Sequence, residues 1–185
     1  MIKQIYQIFY DKLPNTLNDI LPVYDRCKLV TCLNPYYLVK LTPIDYSLYE
    51  NFDYIPSDGM GPIKLNKYCG HQKSIRLSFD LSAMAGPVFR DMISHNESMY
   101  VLGAKPGEVD KSVQTIKQNF EGIKIAGFHH GYINDSKQQI IEEIKMSGAK
   151  VVIIGMGAPM QDEMAVLLKN SGYIGSVYTC GGFIH

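Results

Sequence analysis

Short apolar runs alternate along this chain with longer segments in which apolar residues return every three or four positions. The run KLVTCLN (28–34) reads as a strand that leads through PYYLVKL into a helix, and FDYIPSDGMGP (52–62) as a strand that ends in a turn. SIRLSFDLSAMAGPVFRDMI starts strand-like and becomes helical. Asp80 and Ser82 precede its apolar positions, and Pro87 must kink or restart the helix. In SMYVLGAKPGEVDKSVQTIKQNF a strand, a Gly-Ala-Lys-Pro-Gly turn and a helix follow one another, with Val109, Val113, Ile116 and Phe120 on one helical face. KIAGF, NDSKQQIIEEIKMSG, KVVIIGMG, QDEMAVLLKNSG and SVYTCGG then continue as strand, helix, strand, helix, strand. Strands separated by helices of this length predict parallel pairing through right-handed crossovers. The pattern therefore predicts a Rossmann-like three-layer α/β/α sandwich with a mainly parallel sheet.

Composition narrows the class without changing that outline. With 185 residues, 46% hydrophobic and 19% charged, the chain is expected to form one domain, 1–185, with a full core. The formal net charge is zero, so the basic field with which a nucleic-acid binder displaces counterions is lacking, and no nucleic-acid partner is expected. Cys27, Cys32, Cys69 and Cys180 contain no Cys-x-x-Cys pair; they suggest reduced cytoplasmic thiols rather than a zinc site or a disulfide framework. The start, MIKQIYQIFYDKLPN, has neither the continuous apolar core nor the cleavage site of a signal peptide, and no run approaches the ~20 apolar residues of a membrane span, so a soluble chain is expected.

Chemistry collects at the predicted strand ends. Open parallel sheets bind ligands beyond the carboxyl ends of their strands, where small residues let backbone N–H groups and helix N-termini face an anion. Gly155, Gly157 and Ala158, in VVIIGMGAPMQDEM, stand at such an end, although close packing of helix on strand accounts for the same glycines. No Gly-x-Gly-x-x-Gly follows the first strand and no Walker sequence occurs, so an NAD or ATP site is not supported and no cofactor is expected. Thr31-Cys32-Leu33-Asn34-Pro35, Ser57-Asp58-Gly59-Met60-Gly61-Pro62 and His129-His130-Gly131-Tyr132 occupy other strand ends. Each has a plain reading beside a functional one: Asp58-Gly59 is ordinary turn chemistry, Asn34 can cap a helix, and paired histidines occur in solvated loops. Arg76 interrupts the apolar run SIRLSF, where a charge needs a partner; Asp80 or a bound anion would serve.

TCLNPYYLV, YIPSDGMGP, the IRLSFDL segment, YVLGAKPGEVDKSVQTIKQNFEGIKIAGFHHGYI, VVIIGMGAPMQDEM and YTCGGFIH resemble, in order and spacing, the WecG/TagA/CpsF glycosyltransferases over nearly the whole chain. The resemblance implies inverting transfer of a hexose or N-acetylhexosamine-type sugar, such as N-acetylmannosamine, from a UDP-sugar donor to a polyprenyl-diphosphate-linked sugar acceptor. Such transfer builds teichoic acid linkage units, capsules and exopolysaccharides at the inner face of the cell membrane. It also implies independence of metal, consistent with the lack of an Asp-x-Asp element here, so that cationic side chains and backbone N–H groups take the diphosphate charge. Asp58 matches the proposed general base; an exposed aspartate, with a pKa near ~3.9, is a weak base and partial desolvation would strengthen it. Thr31 and Asn34 match positions lining the same pocket, Arg76 an arginine assigned to the donor phosphates, and Gln161 a substrate-binding glutamine. By position at strand ends, His129, His130, Gly131, Tyr132 and the turn from Gly103 through Lys105 to Gly107 are candidates for nucleotide contacts.

The sequence departs from the family pattern at Met160, where lysine is usual, and at Ile184-His185, where Phe-Asp is usual. Related proteins continue past CGGFIH into a basic, aromatic-rich appendage that touches the membrane. Without it, the core is expected to be soluble, weakly active or inactive, and open to self-association into a homo-oligomer. Two other readings stand beside the enzyme: a catalytically silent UDP-sugar-binding or scaffold protein of the same fold, and a flavodoxin-like regulator that binds no UDP.

Overall fold

The computed structural model describes residues 2–33, 43–68, 75–133 and 136–184; the expected helix through PYYLVKL, Asn34 and Cys69 lie outside them. Five strands, β1 (Cys27–Val30), β2 (Ser98–Gly103), β3 (Lys124–His129), β4 (Val151–Gly155) and β5 (Gly175–Thr179), form a sheet in the order β1-β5-β4-β2-β3, every pair parallel. Among the described residues the helices are α1 (Ile2–Asp11), α2 (Pro43–Tyr49), α3 (Met60–Tyr68), α4 (Ala85–Ser94), α5 (Glu108–Asn119), α6 (Lys137–Met146) and α7 (Met160–Asn170). The 3-10 turns Leu17–Ile20 and Gly181–Ile184 complete the elements.

The alternation of side chains along each strand divides the core in two. Leu29, Tyr100, Leu102, Val152, Ile154 and Val177 face one way and pack with Phe9, Tyr49 and the apolar stripes of α6 and α7. Val30, Met99, Val101, Val151, Ile153 and Tyr178 face the other and pack with α4 and with Val109, Val113 and Ile116 of α5. Two cores on the two faces of one parallel sheet make the predicted three-layer α/β/α sandwich. β3 is an edge strand and alternates between exposed and half-buried residues along its length.

Three predicted elements differ in detail. Of the segments read as strands at 52–57 and 74–79, the first meets β1 and the chain just beyond it through single parallel bridges, Val30↔Tyr54 and Leu33↔Ser57, and the described part of the second is bridged to the first at Ser57↔Arg76. Pro56 has no N–H to give to a ladder, so the pairing beyond β1 comes in isolated bonds such as Thr31 N–H to Tyr54 O (3.2 Å) and Leu33 N–H to Pro56 O (2.9 Å). Pro87 neither kinks nor breaks α4: it is the third residue of that helix, where no intrahelical acceptor awaits its missing N–H. The turn Met60-Gly61-Pro62 is itself the start of α3, for the same reason.

From β2 the chain adds β3 outward, then returns to lay β4 on the other side of β2. The direction of winding reverses between β2 and β4, the place where sheets of this kind open a crevice. That crevice is filled here from within. A Cβ built on Gly155 would fall 2.6 Å from Ile184 Cγ1 and 2.8 Å from the Gly181 carbonyl oxygen, and one on Gly103 would fall 2.1 Å from the Gly155 oxygen. Only glycines let the Gly181–Ile184 turn settle on the strand ends, where Ile184 is 1% exposed.

Candidate active site

A cleft of ≈ 320 Å³ opens beside that turn, at the carboxyl ends of β1 and β5. Its walls come from Cys32 and Asp58 beyond β1, the segment Arg76 to Asp80, Gln161 of α7, and Thr179 to Phe183. Asp58 is half-buried, and its position is fixed twice: its N–H donates to Leu33 O (2.8 Å), and Ser78 Oγ donates to its Oδ1 (2.5 Å). One carboxylate oxygen is thereby steered while the side chain still borders the cleft. Arg76 lies on the same wall with its side chain 53% exposed; its contact with Asp80 is 4.0 Å long, and an exposed pair of this kind is worth about 0–1 kcal/mol. Asp80 Oδ1 also accepts from Ser82 N–H (2.8 Å) and Ser82 Oγ (2.6 Å). Burial pushes the Cys32 and Cys180 thiols well above the ordinary range, so both form neutral parts of the wall rather than nucleophiles.

The floor of the cleft is polar and buried. Asp162, fully buried, accepts at Oδ1 from Thr31 Oγ1 (2.9 Å) and at Oδ2 from the Tyr49 hydroxyl (3.1 Å). Thr179 Oγ1 lies 2.6 Å from Thr31 Oγ1 and 3.2 Å from Asp162 Oδ1, either of which can take its proton. Asp162 sits in the first turn of α7, where a carboxylate also suits the helix dipole. Next to it Gln161, 2% exposed, accepts at Oε1 from Gly181 N–H (3.1 Å), and Gln161 N–H bonds Gly157 O (3.0 Å). Gly157 takes φ +77°, a conformation L side chains rarely adopt, and so shapes the turn that presents Gln161.

The sequence candidates thus fall into two groups. Asp58, Arg76 and Gln161 border the cleft, while Thr31, 1% exposed, reaches it through Asp162 and Thr179. Gly103, Lys105, His129, His130, Gly131 and Tyr132 gather beyond β2 and β3. There Gly131 N–H bonds Ala104 O (2.9 Å), His129 Nδ1 lies 2.8 Å from His130 O, and the two imidazole rings stand 4.3 Å apart. His129 and His130 line a separate shallow hollow of ≈ 230 Å³ with Pro106, Gly107 and Phe128. Lys105 is exposed, 4.0 Å from Glu108, and Gly155 lies under the Gly181–Ile184 turn between the two groups. Among the described residues no group of three or more His, Cys, Asp or Glu side chains is arranged to hold a metal ion.

A model of the Glycosyl transferase WecG/TagA/CpsF family matches residues 3–185. The chain belongs to that family. It is similar to a UDP-Gal:alpha-D-GlcNAc-diphosphoundecaprenol beta-1,4-galactosyltransferase of Shigella boydii, 32% identical over 157 residues, which covers 84% of this chain and 65% of that protein. It is also similar to N-acetylglucosaminyldiphosphoundecaprenol N-acetyl-beta-D-mannosaminyltransferases. The one from Bacillus spizizenii is 25% identical over 60% of this chain and 42% of its own length; the one from Staphylococcus aureus is 25% identical over 66% and 47%. The chain therefore spans less than two thirds of the length of these relatives.

Sequence reasoning missed Asp162, Thr179, Ser78 and Tyr49 as parts of the site. Asp162 stood next to Gln161 in the motif Gly-x-Gly-x-Pro-x-Gln-[Asp/Glu]-Glu, which was the available signal, but a polar residue in a first helical turn reads equally well as solvated.

Proposed function

We propose that this chain is the core of an inverting, metal-independent glycosyltransferase. It would move a hexose or N-acetylhexosamine-type sugar from a UDP-sugar to a polyprenyl-diphosphate-linked sugar, with 1–185 as a single domain. The observation that carries this reading is Asp58, a half-buried carboxylate steered by Ser78 at the wall of a cleft beyond the strand ends. Family membership and the lipid-linked acceptors in the relatives' names support the reaction class.

On this reading an acceptor hydroxyl lies against Asp58, which takes its proton as the oxygen attacks the anomeric carbon. The bond from that carbon to the UDP oxygen breaks, and UDP leaves with the electron pair. Charge grows on the diphosphate at that moment, and the weakly paired Arg76 is placed to meet it. Gln161 hydrogen-bonds the sugar from the cleft wall, and its buried neighbours keep it there. The residues beyond β2 and β3, from Gly103 and Lys105 to His129, His130, Gly131 and Tyr132, take the nucleotide end of the donor. The acceptor's lipid would keep this work at the cytoplasmic face of the membrane; among the described residues no helix is long and apolar enough to cross one.

The test is product formation from UDP-sugars and a polyprenyl-diphosphate-linked N-acetylglucosamine in EDTA, together with calorimetric titration of UDP. UDP binding and transfer that persist in EDTA, with transfer lost in Asp58→Asn, are expected. Binding without transfer by any chain that carries this core, or an Asp58→Asn variant as active as the parent, would overturn the proposal.

A further inference from the structure

A second, more apolar groove of ≈ 400 Å³ lies along α5 beside the cleft, and Phe183 is a wall of both. Leu81, Ile116, Phe120 and Phe183 form its apolar side, and Glu108, Lys111, Ser112, Thr115 and Asn119 its polar rim. Phe120 and Asn119 are shared in turn with a third hollow, completed by Ile93 and by the polar Arg90, Ser94 and Glu121. Leu81, 50% exposed, stands at the rim of the groove. Phe183 makes edge-on contact with Phe79 (centroids 5.3 Å apart) and tilted contact with Phe89 (6.3 Å).

We propose that this groove binds the first isoprene units of the lipid-linked acceptor. The inference rests on the glycosyltransferase reading above. In such an acceptor the diphosphate joins the sugar to the prenyl chain. A sugar hydroxyl at Asp58 therefore sets the diphosphate about one ring away, and the hydrocarbon begins beyond it. The polar cleft and the apolar groove follow one another in that same order, with Phe183 at the junction. Lys111, exposed on α5, lines the groove one turn from Glu108 and offers a cation to a passing phosphate. A linked series of hollows, rather than a closed cavity, suits a long, linear chain of which only the first part is gripped.

The experiment compares N-acetylglucosaminyl diphosphate bearing a farnesyl or an ethyl tail, titrated calorimetrically into the chain and into Thr115→Trp and Leu81→Asp variants. Both substituted residues are exposed, so the fold should tolerate the changes. The farnesyl compound should bind at least about tenfold more tightly, equivalent to about 1.4 kcal/mol. Both variants should erase that gain and leave the ethyl compound unaffected. Equal affinity for the two tails, a gain that survives both substitutions, or binding of neither compound would overturn the groove. So would a dimer that Thr115→Trp breaks while the farnesyl gain persists, which would assign the groove to a second copy of the chain. Failure of the parent reading looks different: the farnesyl gain appears and is lost in both variants, yet no UDP-sugar is consumed.

Discussion

Beneath the cleft, at the ends of β1 and β5, Thr31, Thr179 and Asp162 are each no more than 2% exposed and are bonded to one another; beyond β2 and β3, Tyr132 is 64% exposed and His129 turns a ring nitrogen to its own neighbour's carbonyl. Both regions are strand ends of the same sheet and both attracted attention in the sequence for the same reason. They differ in what burial demands. A buried carboxylate must find its donors within the protein, so Asp162 ties β1, β5, α2 and α7 together before any ligand arrives. In the second group Lys105 and Tyr132 are exposed, have water for a partner and can rearrange around a ligand, while His129 and His130 are half-buried. Substitutions should therefore separate the regions: the first couples activity to stability through its floor, and the second affects binding alone.

The largest effect belongs to Asp58, above the floor rather than in it. Asp58→Asn should lower kcat by about 10²–10⁴-fold, the usual worth of a general base, with the thermal midpoint nearly unchanged. Steady-state kinetics beside a thermal melt decides it, and a melt that falls as far as the rate would place Asp58 in the scaffold instead. Asp162→Ala comes next and should do the reverse. Removing the carboxylate strands the Thr31 and Tyr49 hydroxyls in the buried interior and should cost about 3 kcal/mol, or roughly 10 °C in melting for a chain of this size. Wild-type stability in Asp162→Ala would mean that the floor is not the buried net described and would remove the contrast.

The contrast also explains what the sequence could and could not convey. Periodicity located β2, β4 and β5 and the buried face of α5 because local spacing alone decides which side of such elements is apolar. It misjudged 52–57 and 74–79, whose apolar residues look like strands although Pro56 denies them a ladder, and it read α3 as a turn because Gly61-Pro62 is turn-like outside a first helical turn. In the candidate site, Asp58, Arg76 and Gln161 were legible from motifs that are contiguous in the chain. The Asp162 net was not, since Thr31 and Tyr49 lie 131 and 113 residues away and only the parallel order β1-β5-β4 brings them to α7.

Arg76→Ala sharpens the comparison within the cleft. Because the arginine is half exposed and weakly paired, its loss should leave the fold intact and weaken UDP binding about tenfold, the worth of one charge-assisted contact of ~1.4 kcal/mol. Calorimetry in EDTA measures it, and unchanged affinity would return Arg76 to the role of a surface partner of Asp80.

Tyr132→Ala should have the smallest effect and is the most direct probe of the second region. An exposed aromatic ring can stack on a base or cover a ribose, but it gives up its own hydration and some side-chain freedom to do so. A loss of about threefold in UDP affinity is the expected balance, roughly 0.7 kcal/mol, with no change in melting. Titrating uridine and UDP in parallel locates the effect. Equal weakening of both assigns Tyr132 to the nucleoside, whereas weakening of UDP alone would move its contact to the phosphates. If the melt falls by as much as it does for Asp162→Ala, the outer region carries structural load after all, and its exposure is a poor guide to its role.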